Sequence, residues 1–268
     1  MKVWAIANQK GGVGKTTTTV NLAGLLAISG NPTLIIDLDP QGSLTSYMGY
    51  NPDIIEKSAY QLFQGRVGNP ASFMLETGIS NLDLLPASSA LATLDRQLGA
   101  QLGKGLVIKN FLDSIRENYS HVLIDCPPVV GMLLVNAIAA SDTLILPVQT
   151  EYLALKGLER MVNTIQMIER SRKREIPYLV VPTMFDQRTR ASMDAIRQLQ
   201  EFYSSHLWNG VVPVDTLFRD ASRLGVPLTL WNTRARGSEA YARLLRSLLA
   251  TENAQRTAMM QEARSNAV

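Results

Sequence analysis

Short runs of adjacent apolar residues alternate along this chain with longer stretches in which apolar positions recur every three or four residues. Residues 3–7 form an apolar, partly β-branched run that stops at a glycine-rich segment, and residues 16–29 then place Val20, Ala23, Leu26 and Ala27 along one side of a helix. Gly30, Asn31 and Pro32 end that helix, and residues 33–36 make a second buried strand that closes on Asp37. The same reading predicts strands at 82–85, 122–124, 143–147, 178–181 and 210–212. It predicts helices at about 106–118, 133–140, 155–170, 192–206 with Ser192 as cap, and 238–249.

Near-continuous apolar strands separated by amphipathic helices describe an α/β protein, a single domain whose mostly parallel, doubly wound sheet is covered by helices on both faces. Residues 41–80 follow the pattern poorly and are expected to be irregular with short helices. From Thr251 onward the chain is polar and expected to fray, which sets a domain at 1–250 and a polar tail at 251–268.

Composition narrows the class without naming a function. The 268 residues are 46% hydrophobic and 18% charged, enough apolar material for one core and far from a disordered composition. Cys126 is the one cysteine, accompanied by His121 and His206 alone, so neither a disulfide framework nor a Cys/His zinc site can form, and a reducing compartment is expected. The longest nearly apolar stretch, 129–140, is interrupted by Asn136 and falls short of the roughly 18 to 20 residues a spanning helix needs. The N-terminus lacks a secretion-type apolar segment, so a cytoplasmic protein is expected. Net charge is a modest +3, but it is unevenly divided. Residues 1–150 carry 9 Lys/Arg against 11 Asp/Glu, and residues 151–268 carry 17 against 12.

The chemistry begins where the first strand meets the first helix. Gln9-Lys10-Gly11-Gly12-Val13-Gly14-Lys15-Thr16-Thr17 stands in the strand, loop and helix setting that a phosphate-binding loop requires. Its glycines let successive N–H groups converge on one concavity, which the helix N-terminus completes for phosphate oxygens. Lys15 is expected to reach the β- and γ-phosphates of a nucleoside triphosphate and the Thr16 hydroxyl to bind Mg²⁺, the expected metal. One position departs from the ordinary G-x-x-x-x-G-K-[ST] pattern: Gln9 stands where glycine is usual, and Lys10 follows it. A second lysine inside the loop needs a negatively charged group to meet.

Two strand ends supply carboxylates. Asp37-Leu38-Asp39-Pro40-Gln41 carries an aspartate pair that alternation on an extended backbone points the same way. The 122–125 run, Val-Leu-Ile-Asp, is apolar strand ending in an acid, and Asp125 is expected to hold Mg²⁺ directly or through water, followed by a switch segment containing Pro127, Pro128 and Gly131. Cys126, at that buried strand end, is expected to serve packing rather than redox chemistry.

Lys10-Gly-Gly-Val-Gly-Lys-Thr-Thr17 resembles the deviant phosphate loop of the ParA/MinD family of P-loop ATPases, and Asn8-Gln9 ahead of it resembles the ParA branch. Pro147 to Tyr152, Thr183 to Arg188 and Arg236 to Tyr241 are similar to that branch as well, so the resemblance covers roughly residues 2–250. It implies that Lys10 crosses a dimer with ATP sandwiched between subunits to reach the partner's phosphates. It also implies that Asp39 orients the hydrolytic water, and that adenine lies against loops after the later strands, where Met184 and Pro213 stand. Catalysis would then rest on Lys10, Lys15 and Asp39.

The resemblance further implies ATP-dependent binding to DNA without sequence preference, nucleoid association, and a stimulating partner or cargo adaptor that releases the protein on hydrolysis. Arg188, Arg190, Arg219, Arg223, Arg236 and Arg243 are the candidate DNA contacts in the basic half, with Arg234 and Arg246 nearby. One departure bears on this: the family often carries arginine right after the proline of the 212–222 segment and three residues later, where this chain has Val214 and Leu217.

The segments at 43–53 and 213–222 are similar to family members that position polar chemosensory arrays; a plasmid, a chromosome origin or another protein assembly are the other cargoes implied. Met259 and Met260 are the large apolar side chains of the tail before Val268, with no aromatic anchor, so membrane insertion is not expected. No helix-turn-helix domain precedes the first strand, so operator-specific repression is not expected either. Two rivals remain: a nucleotide-regulated interaction module with negligible turnover, and a metabolic or metal-carrier ATPase of the same fold. The second joins its subunits through bridging cysteines, against which the placement of Cys126 argues.

Overall fold

Side-chain alternation on the central strands divides the interior into two layers. Val3 and Ala5 of β1 (Lys2–Ile6) face one layer while Trp4 and Ile6 face the other; Leu34 and Ile36 oppose Ile35 on β2 (Thr33–Asp37), and Val122 and Ile124 oppose Leu123 on β5 (His121–Asp125). Both faces are therefore apolar, which is why these strands read as unbroken hydrophobic runs. A computed structural model of the protein describes residues 1–65, 69–98, 104–172 and 175–265.

In chain order, β1 leads through the glycine-rich loop to α1 (Lys15–Ile28) and β2, followed by α2 (Ser43–Tyr47) and α3 (Ala59–Phe63). Next come β3 (Leu75–Glu76), β4 (Leu82–Leu85), α4 (Leu91–Leu98), α5 (Val107–Ser114), β5 and α6 (Met132–Ala140). Strand β6 (Thr143–Gln149), α7 (Tyr152–Arg172), β7 (Tyr178–Thr183), α8 (Arg190–Tyr203), α9 (Leu217–Leu224), α10 (Leu228–Trp231) and α11 (Arg236–Ser265) complete the chain. The seven strands lie in the order β3-β4-β2-β5-β1-β6-β7, parallel throughout except for the antiparallel edge pair β3 and β4. This is the doubly wound sheet expected, and it sets the carboxyl ends of β2, β5 and β1 side by side, where ligands of such sheets bind. Register adds detail: Asp125 is the cross-strand partner of both Ile6 and Asp37.

Helix α1 is held from outside by the C-terminal elements. Gly24 leaves room for Pro227, whose Cγ lies 3.1 Å from where a Cβ would sit, and Thr229 donates through its N–H to Asn21 Oδ1 at 3.0 Å. Thr18 and Tyr241 share a buried hydroxyl–hydroxyl bond of 2.9 Å that ties α1 to α11.

Three expectations need correction. Residues 210–212 do not form a strand. Val212 donates to Pro182 O at 2.8 Å, but Trp208 folds across Gly210, and the isolated bridges lie on either side of the segment, Leu207 to Val180 and Pro213 to Phe185. Helix α8 starts earlier than Ser192, with Thr189 as its cap accepting from the Ser192 N–H at 3.3 Å. The chain does not fray from Thr251: α11 continues to Ser265. Glu252 accepts the Trp4 indole N–H at 2.9 Å, and its other oxygen lies 3.5 Å from His121 Nε2. A buried indole needs an acceptor, and a residue inside the polar tail provides it. Residues 41–80 have the short helices expected of them, together with the edge strand β3.

Candidate active site

The glycine-rich loop is pinned at both ends before it meets any ligand. Asn8 is buried; its amide donates to Pro147 O on β6 at 2.8 Å while its Oδ1 accepts the Lys10 N–H at 2.9 Å. Gln9 donates to Thr164 Oγ1 at 2.8 Å, and Thr183, at the end of β7, donates to Val13 O at 2.9 Å. Gly12 and Gly14 adopt φ of 75° and 92°, the left-handed region that side chains other than glycine rarely enter. Helix α1 begins at Lys15 with no side-chain cap on its first turn, so its leading N–H groups stay available to an anion.

Behind the loop lies an excess of buried carboxylate. Thr16 Oγ1 donates to Asp125 Oδ2 at 2.6 Å, and the buried Asp125 Oδ1 has no hydrogen-bond partner. Burial, and secondly the charge of Asp37 beside it, push the Asp125 carboxyl well above its ordinary range. Asp37 is wholly buried, and burial pushes it up to about 7 even though hydrogen bonds from Thr45 and the Asp39 N–H pull the other way. Burial also raises Asp39, opposed by the Gln41 N–H and by the Lys15 ammonium. The expected alternation of Asp37 and Asp39 therefore resolves differently. The strand ends at Asp37, which turns inward to Thr45, while Asp39 sits in the loop beyond it, within the field of Lys15.

This donor set fits ATP and Mg²⁺. Thr16 and Asp125 offer two oxygen ligands, one with an oxygen atom left unpartnered, and among the described residues no cluster of three His, Cys, Asp or Glu forms a metal cage. Mg²⁺ is commonly held this way, by one or two protein oxygens with phosphates and water completing the shell. Met184 and Pro213 line one cavity of about 530 Å³ with Gly14, Thr16 and Thr17, so the positions expected for adenine and for phosphate open into the same space. Met184 has a φ of 52°, and Tyr241 and Phe218, ring centroids 5.8 Å apart, also line this cavity.

Lys10 is placed differently from Lys15. The Lys15 side chain is almost fully buried and reaches Lys10 O at 3.3 Å. The Lys10 ammonium turns away from the cradle and pairs with Glu151, just beyond β6. Glu151 lies within the family-like segment 147–152, yet nothing local in the sequence gives it a role, because its proximity to Lys10 depends on β6 lying beside β1. The contacts of Asn8 with Pro147 and of Thr183 with Val13 likewise depend on which strands lie side by side, and that of Thr45 with Asp37 on the turn after β2. Cys126 is fully buried and burial raises its thiol well above the ordinary value, in keeping with a packing role.

The six candidate arginines do not form one patch. Arg188, Arg236 and Arg243 line a second cavity, of about 680 Å³, that shares Pro213, Val214 and Asp215 with the first. Arg219 instead borders the first cavity, beside Ser222. Arg188 is held by Asp186 at 2.8 Å, Arg190 by Asp194 at 3.6 Å and Arg223 by Asp220 at 3.6 Å. Arg236 and Arg243 make no ion pair with the described residues; Arg236 donates to Val214 O at 3.4 Å.

Known proteins resemble this chain over most of its length. A family model described as an AAA domain matches residues 1–178. The chain is 35% identical over 250 residues to the sporulation initiation inhibitor protein Soj of Bacillus subtilis, covering 93% of this chain and 98% of that one. It is 34% identical over 255 residues to the chromosome partitioning protein ParA of Caulobacter vibrioides, covering 94% and 95%. Among solved structures, apo McdA from Cyanothece superposes with a TM-score of 0.84 at 25% identity over 93% of this chain and 99% of that one. Cobyrinic acid a,c-diamide synthase from Mycobacterium smegmatis, with ADP and magnesium bound, superposes with a TM-score of 0.80 at 29% identity over 93% and 94%.

Proposed function

Because the chain belongs to the ParA/Soj family of partitioning ATPases and uses ATP with Mg²⁺, we propose that it is an ATP-gated positioning device. In this reading ATP closes two copies face to face, the closed pair binds DNA without sequence preference, and hydrolysis stimulated by a partner protein releases it. The observation that carries the reading is Lys10: a second lysine built into the phosphate loop whose ammonium faces Glu151 rather than its own cradle. An ammonium carried on the phosphate loop and paired with a carboxylate that is itself partly exposed can exchange that partner for phosphate presented by another subunit.

The geometry supports a role for each residue in this reading. The N–H groups from Gly11 to Thr17 receive phosphate oxygens, and Lys15 balances their charge from within the fold. Thr16 and Asp125 hold the metal, which when bound neutralises charge on the β- and γ-phosphates. Asp39, half-buried beside Lys15, orients the attacking water; catalysis of this kind consists mostly of positioning and charge balance. Met184 and Pro213 flank the base.

For DNA, Arg236 and Arg243 are the contacts the electrostatics favour, with Arg246 continuing their line into the groove beside Val211. Arg188, Arg190 and Arg223 are partly neutralised by their own aspartates and contribute less. No helix among the described residues is long and apolar enough to cross a membrane. The cargo is a chemosensory array, plasmid, chromosome origin or other protein assembly, and the 43–53 and 213–222 segments favour the first.

The test is an electrophoretic shift of arbitrary-sequence DNA. At about 50 mM salt, near the low end where phosphate contacts are strong, the protein with ATP and Mg²⁺ should retard the DNA, and without nucleotide it should not. Absence of a shift in both conditions removes DNA from the account and leaves protein partners alone.

A further inference from the structure

One buried hydroxyl outside the phosphate loop is fully committed to the carboxylates of the site. Thr45, on α2, is completely buried; its Oγ1 donates to Asp37 Oδ2 at 2.7 Å and accepts the Ala87 N–H at 2.9 Å. The Thr45 backbone N–H donates to the same Asp37 oxygen at 2.8 Å. The other Asp37 oxygen accepts the Asp39 N–H at 3.1 Å. A continuous path therefore runs from the backbone after β4, through Thr45 and Asp37, to the peptide that carries the Asp39 side chain. Between them the loop is closed tightly: the Gly42 N–H donates to Asp39 O at 2.8 Å, Gly42 has a φ of 62°, and a Cβ there would fall 2.5 Å from Pro52.

We propose that Thr45 is a positioning residue for ATP hydrolysis, fixing Asp37 so that the Asp39 carboxylate is held in register with Lys15. The physical reason is that Asp37 is a buried acid facing another buried acid, Asp125, across the sheet. Such a group stays in place only if its oxygens are hydrogen-bonded, and three of the bonds available to it come from Thr45 and Asp39. Replacing the Thr45 hydroxyl by a methyl group removes one of these bonds, leaves the Ala87 N–H without its acceptor, and lets the loop carrying Asp39 move. Thr45 lies outside the cavity that receives the nucleotide, so binding should be spared.

The proposal rests on the reading of Asp39 as the residue that orients water, and the experiment separates the two. Turnover at saturating ATP, the Kd of a fluorescent ATP analogue with Mg²⁺, and thermal melting are measured for Thr45→Val, Thr45→Ser, Asp39→Ala and the Asp39→Ala/Thr45→Val double variant. Thr45→Val should lower kcat about tenfold, the size expected when one hydrogen bond to a carboxylate is removed from the reacting arrangement, while Kd changes less than about threefold. Thr45→Ser, which keeps both hydrogen bonds, should recover most of kcat, and Thr45→Val should add little to Asp39→Ala.

Wild-type kcat in Thr45→Val, a Ser variant as slow as the Val variant, or Kd weakened as much as kcat would each overturn the proposal. If Asp39→Ala is slow while Thr45→Val is normal, Thr45 alone is misassigned; if Asp39→Ala is normal, both readings fall. Should Thr45→Val not fold, Thr45→Ala is read by the same criteria, and failure of both to fold makes the role structural and overturns the proposal.

Discussion

The nucleotide mouth and the arginine-lined cavity share Pro213, Val214 and Asp215 in their walls, yet their charges are arranged in opposite ways. Behind the phosphate loop that opens into the mouth, Asp37, Asp39 and Asp125 are gathered near Lys15 as the buried cation, and one Asp125 oxygen has no partner. In the neighbouring cavity, Arg188, Arg236 and Arg243 stand on exposed positions, Arg188 already paired with Asp186, and Asp215 and Glu239 share the lining. The first is a crowded site of like charges that a compact polyvalent ligand relieves. The second is a loose field of charge with little geometry to enforce, suited to a partner that presents phosphate in any register. The difference predicts that single changes in the mouth act sharply and changes among the arginines act gradually.

Asp125→Asn should have the largest effect. It removes a metal oxygen, so turnover should fall by more than about 100-fold, while the nucleotide-free protein should melt no lower than wild type because a buried acid facing Asp37 is gone. Melting with and without ATP and Mg²⁺ checks both halves; a strongly destabilised nucleotide-free variant would show that the carboxylates are not in mutual tension.

The Arg236→Ala/Arg243→Ala pair should act more gently, weakening DNA binding about tenfold and reducing the salt dependence of log K by roughly two units, one for each phosphate that no longer meets an arginine. ATP turnover without a partner should stay within about twofold of wild type. An unchanged salt slope would move the DNA surface to Arg219 or to the paired arginines.

What can be read from the sequence divides along the same line. The phosphate loop is legible because its chemistry lies in consecutive residues, and the carboxylates because they stand at the ends of apolar strands. Strand β4 falls on residues 82–85 as expected, since a short apolar run bounded by turns leaves little freedom. The Lys10 to Glu151 pair depends on strand order, the Thr45 to Asp37 to Asp39 path on how the turn after β2 folds back, and the sorting of the arginines on a neighbour's charge, none of which a local pattern carries. The end of the molecule is hidden from a local reading for a related reason. Residues after Thr251 have the polar composition of a loose tail, but Glu252 answers the Trp4 indole from almost the opposite end of the chain. The 210–212 segment has the apolar residues of a strand, while Trp208 packs over Gly210 and the isolated bridges fall outside it, at Leu207 and Pro213.

The central claim is that the second lysine of the loop serves another subunit, and it is tested most directly by light scattering of Lys10→Ala with ATP and Mg²⁺. The variant should bind ATP with an affinity within about threefold of wild type yet stay at the mass of one chain, whereas the wild type should double its mass when ATP is added. A Lys10→Ala protein that doubles its mass as the wild type does would contradict the claim.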